Sequence, residues 1–163
     1  MKTLLVSLLL LAASIASAQE AFDKYVELMR QDLKADKVAL ITEAMDLSGD
    51  ASTKFWPIYR DYDHAISKVG DRRVALIKDY AATYTAMTNE KAGSIMKSFL
   101  KNQKDRLDLL STYSAKIGKA LGAITAAKFV QVESQIQSLI DVQIAAEMPL
   151  IKKPGEAKKE KAQ

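Results

Sequence analysis

Cysteine is absent from this 163-residue chain. That excludes disulfides, thiolate metal centres and thiol redox chemistry, so the fold has to hold by packing alone. Histidine occurs once, as His64. Asp61 and His64 stand three apart on one helical face, the spacing of half a carboxylate-bridged di-iron site. The other half requires a second carboxylate-x-x-His helix, which the chain lacks. Glycine is sparse and no glycine-rich phosphate loop is present. No Ser, His and acid trio can be assembled around any base but His64, and Asp105 and Asp108 have no nucleophile or second acid beside them. Asp61-Tyr62-Asp63-His64 and the Asp105, Asp108 pair therefore read as solvated charge on long helices. No catalytic residue, metal site or cofactor is expected.

Strand patterning is missing too. No stretch sustains apolar and polar alternation, whereas almost every segment repeats apolar residues at spacings of three and four, so the expected fold is all-α. Beyond the N-terminus no run approaches the roughly 20 apolar residues of a membrane span. The first eighteen residues have the form of a secretory signal peptide. Met1-Lys2-Thr3 is followed by an apolar run from Leu4 to Ile15, too short to cross a bilayer, and then by Ala16-Ser17-Ala18. Cleavage is expected after Ala18. No cysteine follows the run, so a lipoprotein anchor is excluded, and the rest is expected to be one exported domain, residues 19–151, with a tail, residues 152–163.

The net charge of +4 suggests nucleic acid until it is divided along the chain. Lys2 leaves with the signal peptide, and the tail carries Lys152, Lys153, Lys158, Lys159 and Lys161 against Glu156 and Glu160. The body from Gln19 to Ile151 is thus neutral, which is not the footprint that phosphate backbones demand. The tail has nothing to bury and is expected to be disordered.

Four helical regions can be laid out. The first runs from about Ala21 to Met45 and turns Phe22, Val26, Met29, Leu33, Val38, Ile41 and Met45 toward a partner. Ser48-Gly49-Asp50 breaks the pattern, with Ser48 as an N-cap whose hydroxyl can accept from the first free amides. The second region runs from about Gly49 to Ala86, about 57 Å at 1.5 Å per residue. Its stripe is Phe55, Tyr59, Tyr62, Ile66, Val69, Arg73, Leu76, Tyr80, Tyr84 and Met87, and Pro57 inside it predicts a kink near Thr53 to Pro57. Thr88 caps the third, from about Asn89 to Leu121, with Ala92, Ile95, Phe99, Leu107, Leu110, Tyr113, Ile117 and Leu121 inward. The short link at Met87-Thr88 folds the second and third back as an elongated antiparallel hairpin. Gly122 ends the third, and Thr125 caps a fourth from about Ala126 to Glu147, with Phe129, Val132, Ile136, Leu139 and Gln143 inward. Pro149 stops it.

Four residues stand out as candidates for contact with other proteins. Phe55, Tyr59 and Tyr62 fit the core of the stripe, but Trp56, about 100° round the helix from Phe55, either packs under the first region or faces a partner. Tyr59 belongs to the same aromatic cluster. Arg72 and Arg73 follow Asp71, and Arg73 falls within the apolar stripe. It is either ion-paired across the hairpin to Asp105 or Asp108, or part of a basic concave face.

This layout resembles the Spy/CpxP-like family of periplasmic proteins, whose LTxxQ motif recurs at helix starts. Leu47-Ser48-Gly49-Asp50-Ala51 looks like the first copy and Ile124-Thr125-Ala126-Ala127-Lys128 like the second, with Ala51 and Lys128 where the family has Gln. The resemblance spans about Ala35 to Gln143. It implies an ATP-independent chaperone, a stress-sensor accessory or a metal-responsive protein. The similar zinc-resistance members use His-rich or Cys-containing segments, and this chain has neither. The expected function is a periplasmic helical cradle, dimeric as two antiparallel hairpins, that binds unfolded proteins. The alternatives are a regulatory ligand of one envelope-stress sensor and a structural envelope protein.

Deleting Lys152 to Gln163 is expected to leave the melting temperature of the mature protein unchanged within about 2 °C, because no buried contact is lost. Thermal unfolding followed by circular dichroism checks this, and a large drop would mean that the tail docks.

Overall fold

The computed structural model of the chain describes residues 37–151. The expected signal peptide with its expected cleavage site, the expected first helical region before residue 37 and the basic tail lie outside the described residues. The chain divides into two units, Met1–Leu40 and Ile41–Gln163. Of the first only residues 37–40 are described, as helix. The second holds the core and the helices that build it.

The fold is all-α, with four helices and no strand among the described residues. Helix α1 is described over residues 37–45. Helix α2 spans Gly49–Thr83, closed by a 3₁₀ turn at Tyr84–Ala86; α3 spans Asn89–Leu121 and α4 Ala123–Glu147. Pro57 lies inside α2, exposed, and the helix continues on both sides of it.

The breaks between helices follow from local chemistry. Asp46 takes a left-handed φ of 48° after α1, a conformation that its short polar side chain tolerates, and Gly49 follows at 55°. Ser48 occupies the N-cap position of α2, but its hydroxyl makes no capping bond. Thr88 does cap α3, its Oγ1 accepting from the Lys91 amide at 3.1 Å.

The start of α4 corrects the sequence-based expectation. Its N-cap is Gly122 and not Thr125. Gly122 adopts φ 91° and ψ 162°, open to glycine and costly for any side chain, so one residue reverses the chain. Its amide donates to the Gly118 carbonyl at 2.9 Å, closing α3, while its own carbonyl accepts from Ala126 at 3.2 Å, opening α4. Thr125 lies within the first turn and donates instead to the Leu121 carbonyl at 3.2 Å. The second motif-like segment, Ile124 to Lys128, is therefore inside a helix and not before one.

Contacts between α2 and α3 run in opposite senses along the two helices. Tyr62 meets Tyr113 with ring centroids 5.5 Å apart, the Asn102 amide donates to the Val69 carbonyl at 2.8 Å, and Asp79 pairs with Lys91 at 2.6 Å. The two helices are antiparallel. The main core sits at the end of this pair farthest from the 3₁₀ turn, where Ile41 and Met45 of α1, Phe55, Tyr59 and Tyr62 of α2, Leu110 and Ile117 of α3, and Phe129 and Ile136 of α4 close on one another. Toward the 3₁₀ turn burial thins to Val69, Tyr80 and Met87.

Phe129 makes edge contacts with Phe55, Tyr59 and Tyr62 and is fully buried. Phe129→Ala is expected to cost about 3–5 kcal/mol through lost transfer and the cavity left behind. Leu139→Ala, at a residue 65% exposed on the same helix, should cost under about 0.5 kcal/mol. Urea unfolding of both variants measures the contrast, and equal losses would contradict the placement of the core.

Candidate functional site

Two phenols inside an apolar core need partners, and one carboxylate serves both. Glu133 of α4 is 6% exposed and accepts from the Tyr62 hydroxyl at 2.9 Å and, more weakly, from that of Tyr59 at 3.5 Å. Glu133 falls four residues after Phe129, one turn along the buried face of α4. Its position between Phe129 and Ile136 is the signal that sequence reasoning missed. Both phenols are held well above their ordinary value of 10.0. Burial strips solvent from the phenolate, and the negative Glu133 opposes a second negative charge beside it. Among the described residues no buried side-chain oxygen or nitrogen lacks a partner. The cluster is a polar tie between α2 and α4.

The four candidate contact residues do not form one surface. Tyr59 is 2% exposed, so it belongs to the core and not to a binding face. Trp56 is half-buried at the rim of that core, edge-on to Phe55 at 5.4 Å and to Tyr59 at 5.6 Å. Arg72 is exposed and pairs with Asp105 of α3 at 2.8 Å. Arg73 pairs with Asp141 of α4 at 2.5 Å, and not with Asp105 or Asp108. About 100° of helical rotation separates the two arginines, enough to send one to α3 and the next to α4.

An open cleft of about 530 Å³ lies between α2 and α3, lined by Asp61, His64, Lys68, Arg72, Asp105 and Asp108 among others. Its charges are largely spent on one another. Lys101 donates to Asp105 at 2.8 Å, Arg72 reaches the same carboxylate, and Lys104 donates to Asp108 at 2.5 Å. The Lys101 hydrogen bond, with the Arg72 charge beside it, holds the Asp105 carboxyl below its ordinary value. Among the described residues no three His, Asp or Glu side chains are grouped to hold a metal ion, and no helix is long and apolar enough to cross a membrane.

Large apolar side chains remain bare on α3 and α4, as do Val38, which was expected inward, and Leu40 on α1. On α3 these are Met96, Phe99, Leu100 and Leu107, at 57, 46, 58 and 53% exposure, and on α4 they are Ile124, Leu139 and Val142, at 87, 65 and 68%. Phe99, Leu107 and Leu139 were expected inward, as was Gln143, which is also exposed. For α3 the reason lies in the course of α4. It packs on Leu110 and Ile117 in the core and touches α2 along its length, from Glu133 at Tyr59 and Tyr62 to Asp141 at Arg73 and the Pro149 carbonyl, which accepts from the Tyr80 hydroxyl. The face of α3 from Met96 to Leu107 is left without that cover. No protein-family model, curated protein or solved structure matches the chain.

Because the folded phenols hold their protons above pH 10 and the unfolded ones do not, unfolding releases protons at alkaline pH. The stability tied to Tyr59 and Tyr62 is fully present below about pH 10 and is lost as pH rises beyond it. Urea midpoints measured from pH 8 to 12 should be flat and then fall, and the fall should be shallower in Tyr59→Phe/Tyr62→Phe. An identical fall in the variant would show that other groups cause it.

Proposed function

We propose that this chain is an exported, non-catalytic protein of the periplasm, similar in kind to the Spy/CpxP-like family. In this reading it acts as a homodimer, without ATP, and holds unfolded or aggregation-prone proteins on exposed apolar helix faces. The observation that carries the proposal is the outer face of α4, where Ile124, Leu139 and Val142 stay in solvent while Phe129 and Ile136 fill the core behind them. A helix that is apolar on both faces belongs inside a protein or against a partner. Leu and Val side chains scattered over a neutral helical body make contacts that depend on burial and not on a fixed pattern of polar groups, which suits many unrelated clients. Trp56, half-buried beside the core, offers an amphipathic edge for the same purpose. The Leu47-Ser48 segment before α2 and the Lys128 side chain of the second motif-like segment lie at the same end of the fold. There Lys128 Nζ donates to the Met45 carbonyl at 3.3 Å.

Aggregation of two unrelated, chemically denatured proteins, followed by light scattering without nucleotide, tests this. A several-fold excess of the mature protein should suppress both, and Leu139→Ser/Val142→Ser should lose most of the effect while keeping its helical content. Suppression of neither client would overturn the proposal. Tight binding to one folded sensor domain in its place would favour the regulatory role.

A further inference from the structure

The bare apolar stripe on α3 carries a sulfur. Met96 opens it, with Leu100 and Leu107 within about 40° of Met96 round the helix and Phe99 at the edge. Exposure divides the described methionines sharply. Met45 and Met87 are buried, at 3 and 8%, and Met148 is half-buried, whereas Met96 is 57% exposed. The turn before Met96 gives its thioether little shelter. A long helical side chain lies over that preceding turn, where the residues three and four before Met96 are Gly93 and Ala92, and a Cβ added at Gly93 would meet nothing within 4 Å. Oxidants that react first with thiolates find no cysteine in this chain. An accessible thioether is then the side chain most open to two-electron oxidation.

We infer that Met96 is a site of reversible oxidation by peroxides, and that its sulfoxide weakens the binding of apolar clients at the α3 face. This regulation rests on the client-binding reading above. The chemistry balances with hydrogen peroxide as the oxidant. The Met96 sulfur attacks one peroxide oxygen, the O–O bond breaks and an S–O bond forms. The proton on the transferred oxygen passes to the departing hydroxide, so sulfur loses two electrons and the peroxide is reduced to water. The fold tolerates the product, because Met96 already lies in solvent and its unbranched side chain needs no room in the core. The apolar face does not. A sulfoxide is polar, and a client that covers the stripe must strip water from it while offering no partner. Burying a polar group in that way weakens binding by about fivefold or more. Met45 and Met87 sit in the interior, so a dose that oxidises the binding face spares the methionines that hold the fold. Methionine sulfoxide reductases return the sulfoxide to the thioether, which makes the change reversible.

Peptide mapping by mass spectrometry during treatment of the mature protein with hydrogen peroxide tests the site. Met96 should gain one oxygen at least about tenfold faster than Met45 and Met87, and the difference should vanish in urea, where all are exposed. Met96 reacting no faster than the buried pair overturns the inference. Two readouts test the consequence, fluorescence of an apolar dye, anilinonaphthalene sulfonate, and suppression of aggregation. Both should fall on oxidation and recover after treatment with a methionine sulfoxide reductase, with helical content unchanged throughout. Met96→Leu, which keeps an apolar side chain without sulfur, should bind dye like the untreated protein and lose nothing in peroxide. An equal loss in Met96→Leu overturns the inference. The dye separates this failure from that of the proposed function. Dye binding that falls on oxidation only when Met96 is present, in a protein that suppresses no aggregation, supports the oxidation site and overturns the client-binding proposal. Suppression that oxidation of Met96 leaves unchanged overturns the inference and leaves the client-binding proposal standing.

Discussion

The folded unit depends on how a carboxylate is accommodated among aromatic rings. Phe55, Tyr59, Tyr62 and Phe129 supply much of the buried area, and rings of this size contribute more to a core than any other side chain. Two of them carry hydroxyls, and a buried hydroxyl without an acceptor costs about 1–3 kcal/mol. Glu133 removes that cost for both, and the phenols in turn solvate a charge that would be expensive to leave alone in an apolar interior. Neither α2 nor α4 could bury these groups without the other. Their alignment is set by chemistry as well as by shape, and α3 and α1 then close the remaining sides through Leu110, Ile117, Ile41 and Met45.

From this concentrated core follows the uneven character of the surface. At one end four helices share a dense interior, while toward the 3₁₀ turn burial falls to isolated residues and polar ties such as Asn102 to Val69 take over. The ion pairs along α2 and α3 are mostly exposed, and each contributes roughly 0–1 kcal/mol. Their effect is to keep the cleft between the two helices electrically quiet, so that its His64 and Asp61 face neighbours whose charges already offset one another.

Most of the element order was legible in the sequence, because stripes at 3.6-residue spacing and the Thr88 and Gly122 breaks are local signals. The third helix has the bounds its caps implied, and the second differs only in its last turn, which tightens to 3₁₀. What escaped depends on tertiary direction. A helical stripe names a face but not how far a neighbour covers it, so Phe99 and Leu107 have the same pattern as Leu110 and Ile117 yet lie in water. Glu133 reads as an ordinary polar residue until the two phenols opposite are known. Arg73 was placed correctly in the stripe of α2, but its partner depends on where α4 crosses, which no local spacing encodes. The start of α4 was missed because a threonine looks like a cap, whereas a single glycine with positive φ made one unnecessary.

That glycine joint leaves no slack between α3 and α4. Gly122 closes one helix and opens the next through consecutive backbone hydrogen bonds, so the rotational phase of α4 is inherited directly from α3. One residue inserted or deleted between Gly122 and Phe129 would turn everything downstream by about 100°. Glu133 would swing out of the tyrosine pair, and Leu139 or Val142 would be driven toward the interior. The 3₁₀ turn between α2 and α3 has no comparable lock, being longer and next to the thinner part of the core. Among related chains, length variation should therefore collect at the 3₁₀ turn and be purged at the glycine joint, so that the two connections of the same fold evolve under opposite tolerances.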